Sequence, residues 1–297
     1  MSEFKSGFVT IIGRPNVGKS TLLNRLIGQK IAIISHKPQT TRKNILGILS
    51  EEDLQIIFTD TPGIHAPATK LGEFMVKSAE GAMQDSDCIL FLVEPRASIG
   101  KTEEKIIEDL KGADIPVILV INKIDTVKKE ELFKIITTYT ESFDFEAVIP
   151  ISARHRDGLD ILKEEIKKHI KEGPMFYPED MVTDQPERQI TAELIREKLL
   201  HCLDKEIPHG IAIEIFSMKE KKNIVDIEAN IYCEKASHKS IIIGKGGQML
   251  KEVGSQARED IEKMLEKKVL LKLWVKVKEG WRNSNYLIKN FGFEQEN

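Results

Sequence analysis

Mainly apolar runs recur through the first half of the chain at residues 8–12, 54–59, 88–93, 116–121 and 147–151, with polar or helix-spaced sequence between them. Runs this short and this continuous read as strands buried on both faces, the habit of a parallel sheet covered by helices. One interruption stands out. Residues 45–49 and 54–58 flank Ser50-Glu51-Glu52-Asp53, which predicts a single antiparallel hairpin. A helix opens at residues 21–26. Another, at 158–170, places Leu159, Leu162, Ile166 and Ile170 on one face and closes this part of the chain.

The pattern then changes. Gly173-Pro174-Met175-Phe176-Tyr177-Pro178 cannot continue a helix, and its prolines stiffen it into a linker. Beyond it, residues 188–203 carry Ile190, Leu194, Leu199 and Leu203 as a helical stripe. Residues 211–216 and 224–231 alternate as strands around the turn at 219–223. A short helix at 238–243, a Gly244-Lys245-Gly246-Gly247 loop, a long helix at 248–265 and a strand at 269–277 follow. The order αββααβ is a second architecture, so two domains are expected. The divisions are 1–172, a linker at 173–187, 188–280, and a C-terminal tail at 281–297.

The loops of the first domain carry the chemistry. Gly13-Arg14-Pro15-Asn16-Val17-Gly18-Lys19-Ser20-Thr21 fits the pattern G-x-x-x-x-G-K-[ST] between a strand and a helix. Its backbone N–H groups and the helix N-terminus would cradle phosphates, Lys19 would bridge the β- and γ-phosphates, and the Ser20 hydroxyl would ligate Mg2+. Asp60-Thr61-Pro62-Gly63-Ile64 follows the strand at 54–59. Asp60 would hold the metal through water, and the Gly63 N–H would sense the γ-phosphate, which makes this segment a switch. Thr40 and Thr41 lie in a polar stretch from Ser35 to Asn44, a second switch loop. One of them should reach the metal, and Thr41 is favoured. Lys19, Thr41, Asp60 and Gly63 form the expected catalytic set.

The base is chosen elsewhere. Asn122-Lys123-Ile124-Asp125 follows the strand at 116–121. The Asp125 carboxylate can accept from both the ring N–H and the exocyclic amine of guanine. Adenine lacks that donor pair and would leave a buried carboxylate unpaired, at roughly 1–3 kcal/mol or more. Asn122 would bond the base and tie this loop to the phosphate loop, and the Lys123 stem would cover one ring face. Ser152-Ala153 follows the strand at 147–151, where the Ala153 N–H would meet the guanine oxygen. The expected ligands are GTP and GDP.

The array resembles the translation-factor branch of small GTPases, and the wording Thr40-Thr41-Arg42 and Asp60-Thr61-Pro62-Gly63-Ile64 resembles the Era family in particular. The linker and Val277-Lys278-Glu279-Gly280-Trp281-Arg282 extend the likeness over nearly the whole chain. The resemblance implies an α/β P-loop GTPase domain followed by an α+β type-II KH domain, whose G-x-x-G loop clamps single-stranded RNA. Bare G-x-x-G is expected roughly once by chance in a chain of this composition, so its place between two helices carries the weight. Ile242, Ile243, Gly244, Lys245, Gly246, Gly247, Gln248 and Lys251 are the expected RNA residues, with glycines allowing close approach and Lys245 meeting phosphate. By the same resemblance the RNA is the 3′ end of 16S rRNA, the partner is the 30S subunit during its assembly, and the protein is a monomer. Peripheral attachment to the inner face of the membrane is also implied, although no amphipathic anchor explains it. The alternative is a GTPase of RNA modification, or of membrane-linked cell-cycle signalling, that uses the KH domain for another RNA.

One departure is instructive. Ile64 stands where Ras-like proteins carry a water-orienting glutamine, so hydrolysis needs another device and is expected to be slow without a partner. Asn16 either stiffens its loop with a hydrogen bond or, as the resemblance to potassium-using GTPases implies, helps hold K+.

Composition narrows the classes without changing the picture. Charged residues are 31% and hydrophobic ones 41% of 297 residues, an ordinary soluble balance. No apolar run approaches the roughly 18 residues that span a bilayer, residues 1–7 do not open a signal peptide, and a cytoplasmic location is expected. Cys88, Cys202 and Cys233 are spaced too widely for a disulfide framework or a zinc site. Of the 44 Lys and Arg, 20 lie from Met181 onward against 19 of the 47 Asp and Glu, leaving 24 against 28 before it. Any basic RNA footprint is therefore local. A nucleotide kinase would lack the Asn122–Asp125 motif and need a second substrate site. A tandem-switch GTPase would show a second phosphate loop, and a pure RNA-binding module would not carry the nucleotide array.

Overall fold

The computed structural model describes residues 4–64 and 67–293. Residues 1–3 of the expected first domain and 294–297 of the expected tail lie outside the described residues. The chain divides into two compact units, one of Met1–Ala32, Thr41–Ala66 and Met75–Asp184, the other of Ile33–Thr40, Pro67–Phe74 and Gln185–Asn297.

The first unit is built on six strands, β1 (Lys5–Ile12), β2 (Ile45–Glu51), β3 (Leu54–Asp60), β4 (Cys88–Val93), β5 (Val117–Ile121) and β6 (Ala147–Pro150), in the order β2-β3-β1-β4-β5-β6. All neighbours pair in parallel except β2 with β3, which form the expected antiparallel hairpin. Every residue of β3, β4 and β5 is buried, which is why those strands read as unbroken apolar runs. Helices α1 (Lys19–Ile27), α2 (Lys70–Gln84), α3 (Lys101–Lys111), α4 (Lys129–Thr140) and α5 (Leu159–His169) alternate with the strands. Two cores result. Leu22, Leu23, Leu162 and Ile166 pack with Val9 and Ile11, while Ile106, Leu110, Ile135 and Tyr139 pack with Ile12 and Phe91. The loops that end β1, β3, β4 and β5 emerge at the carboxyl edge of the sheet, where open α/β folds bind ligands.

The linker is fastened as well as stiff. Buried Gln55 accepts from the Phe176 and Tyr177 N–H groups at 2.8 and 3.0 Å and donates to the Tyr177 carbonyl at 2.8 Å. The Ile48 N–H donates to the Val182 carbonyl at 2.9 Å, and the Thr183 hydroxyl to the Leu46 carbonyl at 2.7 Å.

The second unit has the order α6 (Glu187–Cys202), β7 (Ala212–Lys221), β8 (Ile224–Cys233), α7 (Ala236–Ile243), α8 (Gln248–Leu265) and β9 (Lys268–Val277), the αββααβ sequence of the expected KH domain. The sheet runs β7-β8-β9, with β7 antiparallel and β9 parallel to β8. Val253, Ala257 and Ile261 on one face of α8 meet Leu194, Ile195 and Leu199 of α6 and Ile227 and Ile231 of β8.

Two features go beyond the sequence pattern. The stripe expected on α6 is Ile190, Leu194, Leu199 and Leu203, yet Ile195, Arg196, Glu197 and Leu200 are buried too. Residues 33–40 of the same unit explain this. Arg196 donates to the Thr40 carbonyl and to Glu193, and Glu197 accepts from the Ile34 N–H at 2.9 Å. Lys37 donates to the Leu203 carbonyl and pairs with Asp204. Backbone partners are what make these buried charges tolerable. Past β9, the residues expected as a tail form a turn at Trp281–Asn283 and a short helix α9 (Asn285–Asn290). Trp281 is fully buried, donates to the Gly210 carbonyl at 2.9 Å and packs against the ring of Phe291 at 5.3 Å. No helix among the described residues is long and apolar enough to cross a membrane.

Candidate functional site

At the carboxyl edge of the first unit's sheet, the loop after β1 turns directly into α1. Gly18 has φ 106°, a conformation that L side chains rarely adopt, and the space a Cβ would take is filled by the Asn122 amide. Val17 is fully buried, which pins the loop. Lys19 is buried, and its ammonium folds back to donate to the Gly13 carbonyl at 3.0 Å and the Arg14 carbonyl at 3.3 Å. Burial pushes it down to about 8, against the opposing charge of Asp60.

Three oxygens from three separate segments converge beside it. The Ser20 hydroxyl donates to Asp60 Oδ2 at 2.6 Å, and the Thr41 hydroxyl lies 2.9 Å from Ser20 Oγ and 3.2 Å from Asp60 Oδ2. Asp60 is fully buried, and its Oδ1 has no hydrogen-bond partner among the described residues. Burial raises this carboxyl, more than Lys19, Ser20 and Thr41 lower it. A buried carboxylate oxygen left without a donor, with two hydroxyls alongside, is an all-oxygen set suited to a hard divalent cation. The Thr40 hydroxyl instead donates to the Lys37 carbonyl at 2.6 Å. Thr61 donates to the Ile11 carbonyl, Gly63 lies against Pro15, and the Ile64 N–H donates to the Gly13 carbonyl at 3.3 Å. Ile64 itself packs into the core with Ile12 and Phe91.

The loop after β5 is bound to the phosphate loop. Asn122, nearly fully buried, donates to the Val17 carbonyl at 2.8 Å and accepts from the Ala153 N–H at 3.0 Å. The N–H expected to meet a guanine oxygen thus donates to Asn122. Lys123 donates to the Asn16 carbonyl at 2.7 Å. Asp125 Oδ1 accepts from the Ser152 hydroxyl at 2.5 Å, the main reason its carboxyl is held below its ordinary value. The Ile124 N–H donates to the Ile151 carbonyl. Asn16 and Lys123 both have φ above 60°.

Sequence reasoning passed over two residues here. Arg25, two turns along α1, donates to the Ala153 and Arg154 carbonyls at 3.3 Å. Glu94, the first residue after β4, meets Arg14 and Lys123. Its place at the carboxyl end of a central strand was the available signal.

In the second unit, α7 ends in Gly244-Lys245-Gly246-Gly247 and α8 begins at Gln248. Gly246 has φ 60°, and a Cβ there or at Gly247 would meet nothing within 4 Å, so this backbone is open to close approach. Lys245, Gln248 and Lys251 are exposed beside it, and the α8 N-terminus adds a partial positive charge. The isoleucines divide otherwise than expected. Ile242 is fully buried in the core, Ile243 is half-buried against it, and Ile241 is the exposed one.

A phosphate loop, an all-oxygen cation cluster and an Asn-Lys-x-Asp loop on one sheet edge, with a G-x-x-G module in the same chain, define a P-loop GTPase that carries a KH domain. Residues 8–123 match the family model described as 50S ribosome-binding GTPase, and residues 206–282 the KH domain model. The chain is 56% identical to the GTPase Era of Alkaliphilus metalliredigens over 98% of its length and 100% of that protein. It is 54% identical to the GTPase Era of Clostridioides difficile over 99% and 100%. A crystal structure of Era in complex with MgGDPNP and nucleotides 1506–1542 of 16S ribosomal RNA is 40% identical, with a TM-score of 0.95 over 98% of this chain and 100% of that one. A point variant of Aquifex aeolicus Era bound to GDP.AlF4- matches equally well. The chain belongs to the Era family of GTPases.

Proposed function

We propose that the chain is a GTP-hydrolysing switch that binds the single-stranded 3′ end of 16S rRNA through its KH domain and acts, as a monomer, in assembly of the small (30S) ribosomal subunit. The observation that carries this reading is the convergence of Ser20, Thr41 and Asp60 beside Lys19, in a chain that also presents the open Gly244–Gly247 backbone. The RNA follows from the complex of the 40% identical Era with that segment of 16S rRNA.

The residues divide the work. Backbone N–H groups of residues 13–21 cradle the phosphates, and Lys19, released from the Gly13 and Arg14 carbonyls, neutralises the β- and γ-oxygens. Ser20, Thr41 and Asp60 would hold Mg2+, which when bound would neutralise phosphate charge. Asp125 and Asn122 select guanine, with Ser152 orienting Asp125. The Gly63 N–H reads the γ-phosphate. Ile64, packed in the core, orients no water, so hydrolysis uses another device, a role we give to a K+ ion held with help from Asn16.

The switch has a route to the RNA module. In the second unit Arg196 of α6 grips the Thr40 carbonyl, and the next residue, Thr41, stands beside Asp60 in the first. Drawing Thr41 onto the cation therefore pulls on a backbone held by the first helix of the KH domain. The RNA assignment is tested by replacing Lys245 and Gly246 with aspartates, which sets negative charge against phosphate. Binding of a 16S 3′-end oligonucleotide should be lost while GTP affinity is retained. Undiminished RNA binding would move the RNA site away from this loop.

A further inference from the structure

One carboxylate, outside every nucleotide motif, gathers the charges of both nucleotide loops. Glu94 follows the last residue of β4, whose Val93 carbonyl accepts from the Asn122 N–H at 2.9 Å. Its side chain is 15% exposed. Oε2 accepts from Arg14 of the phosphate loop and from Arg96 at 3.1 Å, and Oε1 accepts from the Lys123 ammonium of the base loop at 2.5 Å. Lys123 also donates to the Asn16 carbonyl, and Arg14 also donates to Glu103 at 3.1 Å. Burial alone would raise the Glu94 carboxyl, but Lys123, Arg14 and Arg96 together hold it below its ordinary value.

The arrangement answers a physical need. Lys123 (φ 64°) holds the left-handed conformation, which a lysine keeps only where its surroundings over-determine it, and Asn16 (φ 68°) shares it, as asparagine readily does. Both lie on loops that must keep one spacing, since the phosphates and the base of a single nucleotide span them. Arg14 and Lys123 carry like charges brought close together, and without a shared anion they repel.

We propose that Glu94 is a positioning residue for guanine-nucleotide binding: it clamps Arg14 and Lys123 so that the phosphate loop and the base loop stand at the spacing a guanine nucleotide requires. It acts through Lys123 and Arg14 and touches no reacting atom. The clamp rests on placing the base at the loop after β5.

The test uses the full-length protein with Glu94→Gln, isosteric and uncharged, alongside Glu94→Asp, Lys123→Met and the Glu94→Gln/Lys123→Met double variant. Each is titrated with fluorescent GDP and a fluorescent non-hydrolysable GTP analogue, and kcat is measured at saturating GTP. Glu94→Gln should weaken both nucleotides by an equal factor of about 10- to 100-fold, with kcat within about twofold of wild type. Glu94→Asp should recover part of the affinity. The double variant should lose clearly less than the sum of the two single losses, because both single variants remove the Glu94–Lys123 contact. Affinity within about twofold of wild type for Glu94→Gln, or additive losses in the double variant, overturns the clamp. A role confined to fold stability would lower the unfolding temperature of the nucleotide-free protein and leave the affinity of its folded fraction unchanged, and that also overturns it. Asp125→Asn, with GTP and XTP as competitors in the same titration, separates the two failures. Unchanged guanine preference there overturns the base site and the clamp with it, whereas altered preference with unaffected Glu94→Gln removes the clamp alone.

Discussion

Replacing Asp125 by asparagine changes one oxygen for an amide nitrogen, and the structure sets the size of the effect. Asp125 Oδ1 already takes the Ser152 hydroxyl at 2.5 Å, so the carboxylate is oriented before any base arrives. Guanine offers two N–H donors to it. Hydrogen bonds to a charged acceptor contribute about 1.5–3 kcal/mol each. In the asparagine variant the bond from the exocyclic amine is lost and the new amide donor faces that amine, leaving two donors opposed at about 1–3 kcal/mol. The sum, roughly 2.5–6 kcal/mol, corresponds to about 10²- to 10⁴-fold in affinity at 1.4 kcal/mol per tenfold. The Asp125 side chain is 30% exposed, and that solvent access favours the lower end. Xanthine carries a carbonyl where guanine has its amine, so the same amide donor is satisfied and the preference should reverse. The assay is displacement of a fluorescent guanine nucleotide by GTP, XTP and ATP, with thermal unfolding of the nucleotide-free protein as control. The Ser152 hydroxyl can still donate to the amide oxygen, so the unfolding temperature should hold. An unchanged ratio of GTP to XTP affinity would refute the base assignment.

Three other outcomes are expected. If a monovalent ion near Asn16 supplies charge that Ile64 cannot, turnover in K+ should exceed turnover in Na+ at equal ionic strength and Asn16→Ala should erase the difference; equal wild-type rates reject the ion. Trp281→Ala empties a fully buried indole site and removes its bond to the Gly210 carbonyl, so unfolding of the KH domain should lose about 3–5 kcal/mol; a loss under about 1 kcal/mol would return this segment to a loose tail. Burial works to raise the Glu51 carboxyl, but Lys163 and Lys167 outweigh it and hold it below 4.5; its contribution is therefore full above that pH and fades as pH falls through the lower folded value, so the unfolding-temperature gap between wild type and Glu51→Gln should be open at pH 7 and close in acid, and a gap independent of pH would contradict this.

What the sequence disclosed followed from how each feature is encoded. The strands β3, β4 and β5 are buried along their whole length and so appear as apolar runs, and the nucleotide motifs are contiguous because single loops perform those tasks. Contacts made across the chain left no such trace. Arg196 and Glu197 sit among residues a helical stripe would assign to solvent, and they are buried because residues 33–40 offer backbone groups to them. The run Ile241-Ile242-Ile243 has no periodicity, so the burial of Ile242 and the exposure of Ile241 depended on how α7 rotates against the core. Trp281 follows Gly280 in a segment too short for a pattern, and its partner, the Gly210 carbonyl, lies 71 residues away. Glu94 belongs to no motif, and only the convergence of Arg14, Lys123 and Arg96 marks it.

The central claim is that nucleotide state governs the RNA site, and the most direct measurement is the affinity of the full-length protein for a 16S 3′-end oligonucleotide with GDP bound and with a non-hydrolysable GTP analogue bound. A ligand shifts an equilibrium only through different affinity for its two states. The triphosphate form should bind the RNA more tightly by about 5- to 150-fold, an ordinary coupling of roughly 1–3 kcal/mol, and the RNA should raise triphosphate affinity by the same factor. Identical RNA affinity in the two nucleotide states would mean that the grip of Arg196 on Thr40 transmits nothing and that the two domains are merely tethered.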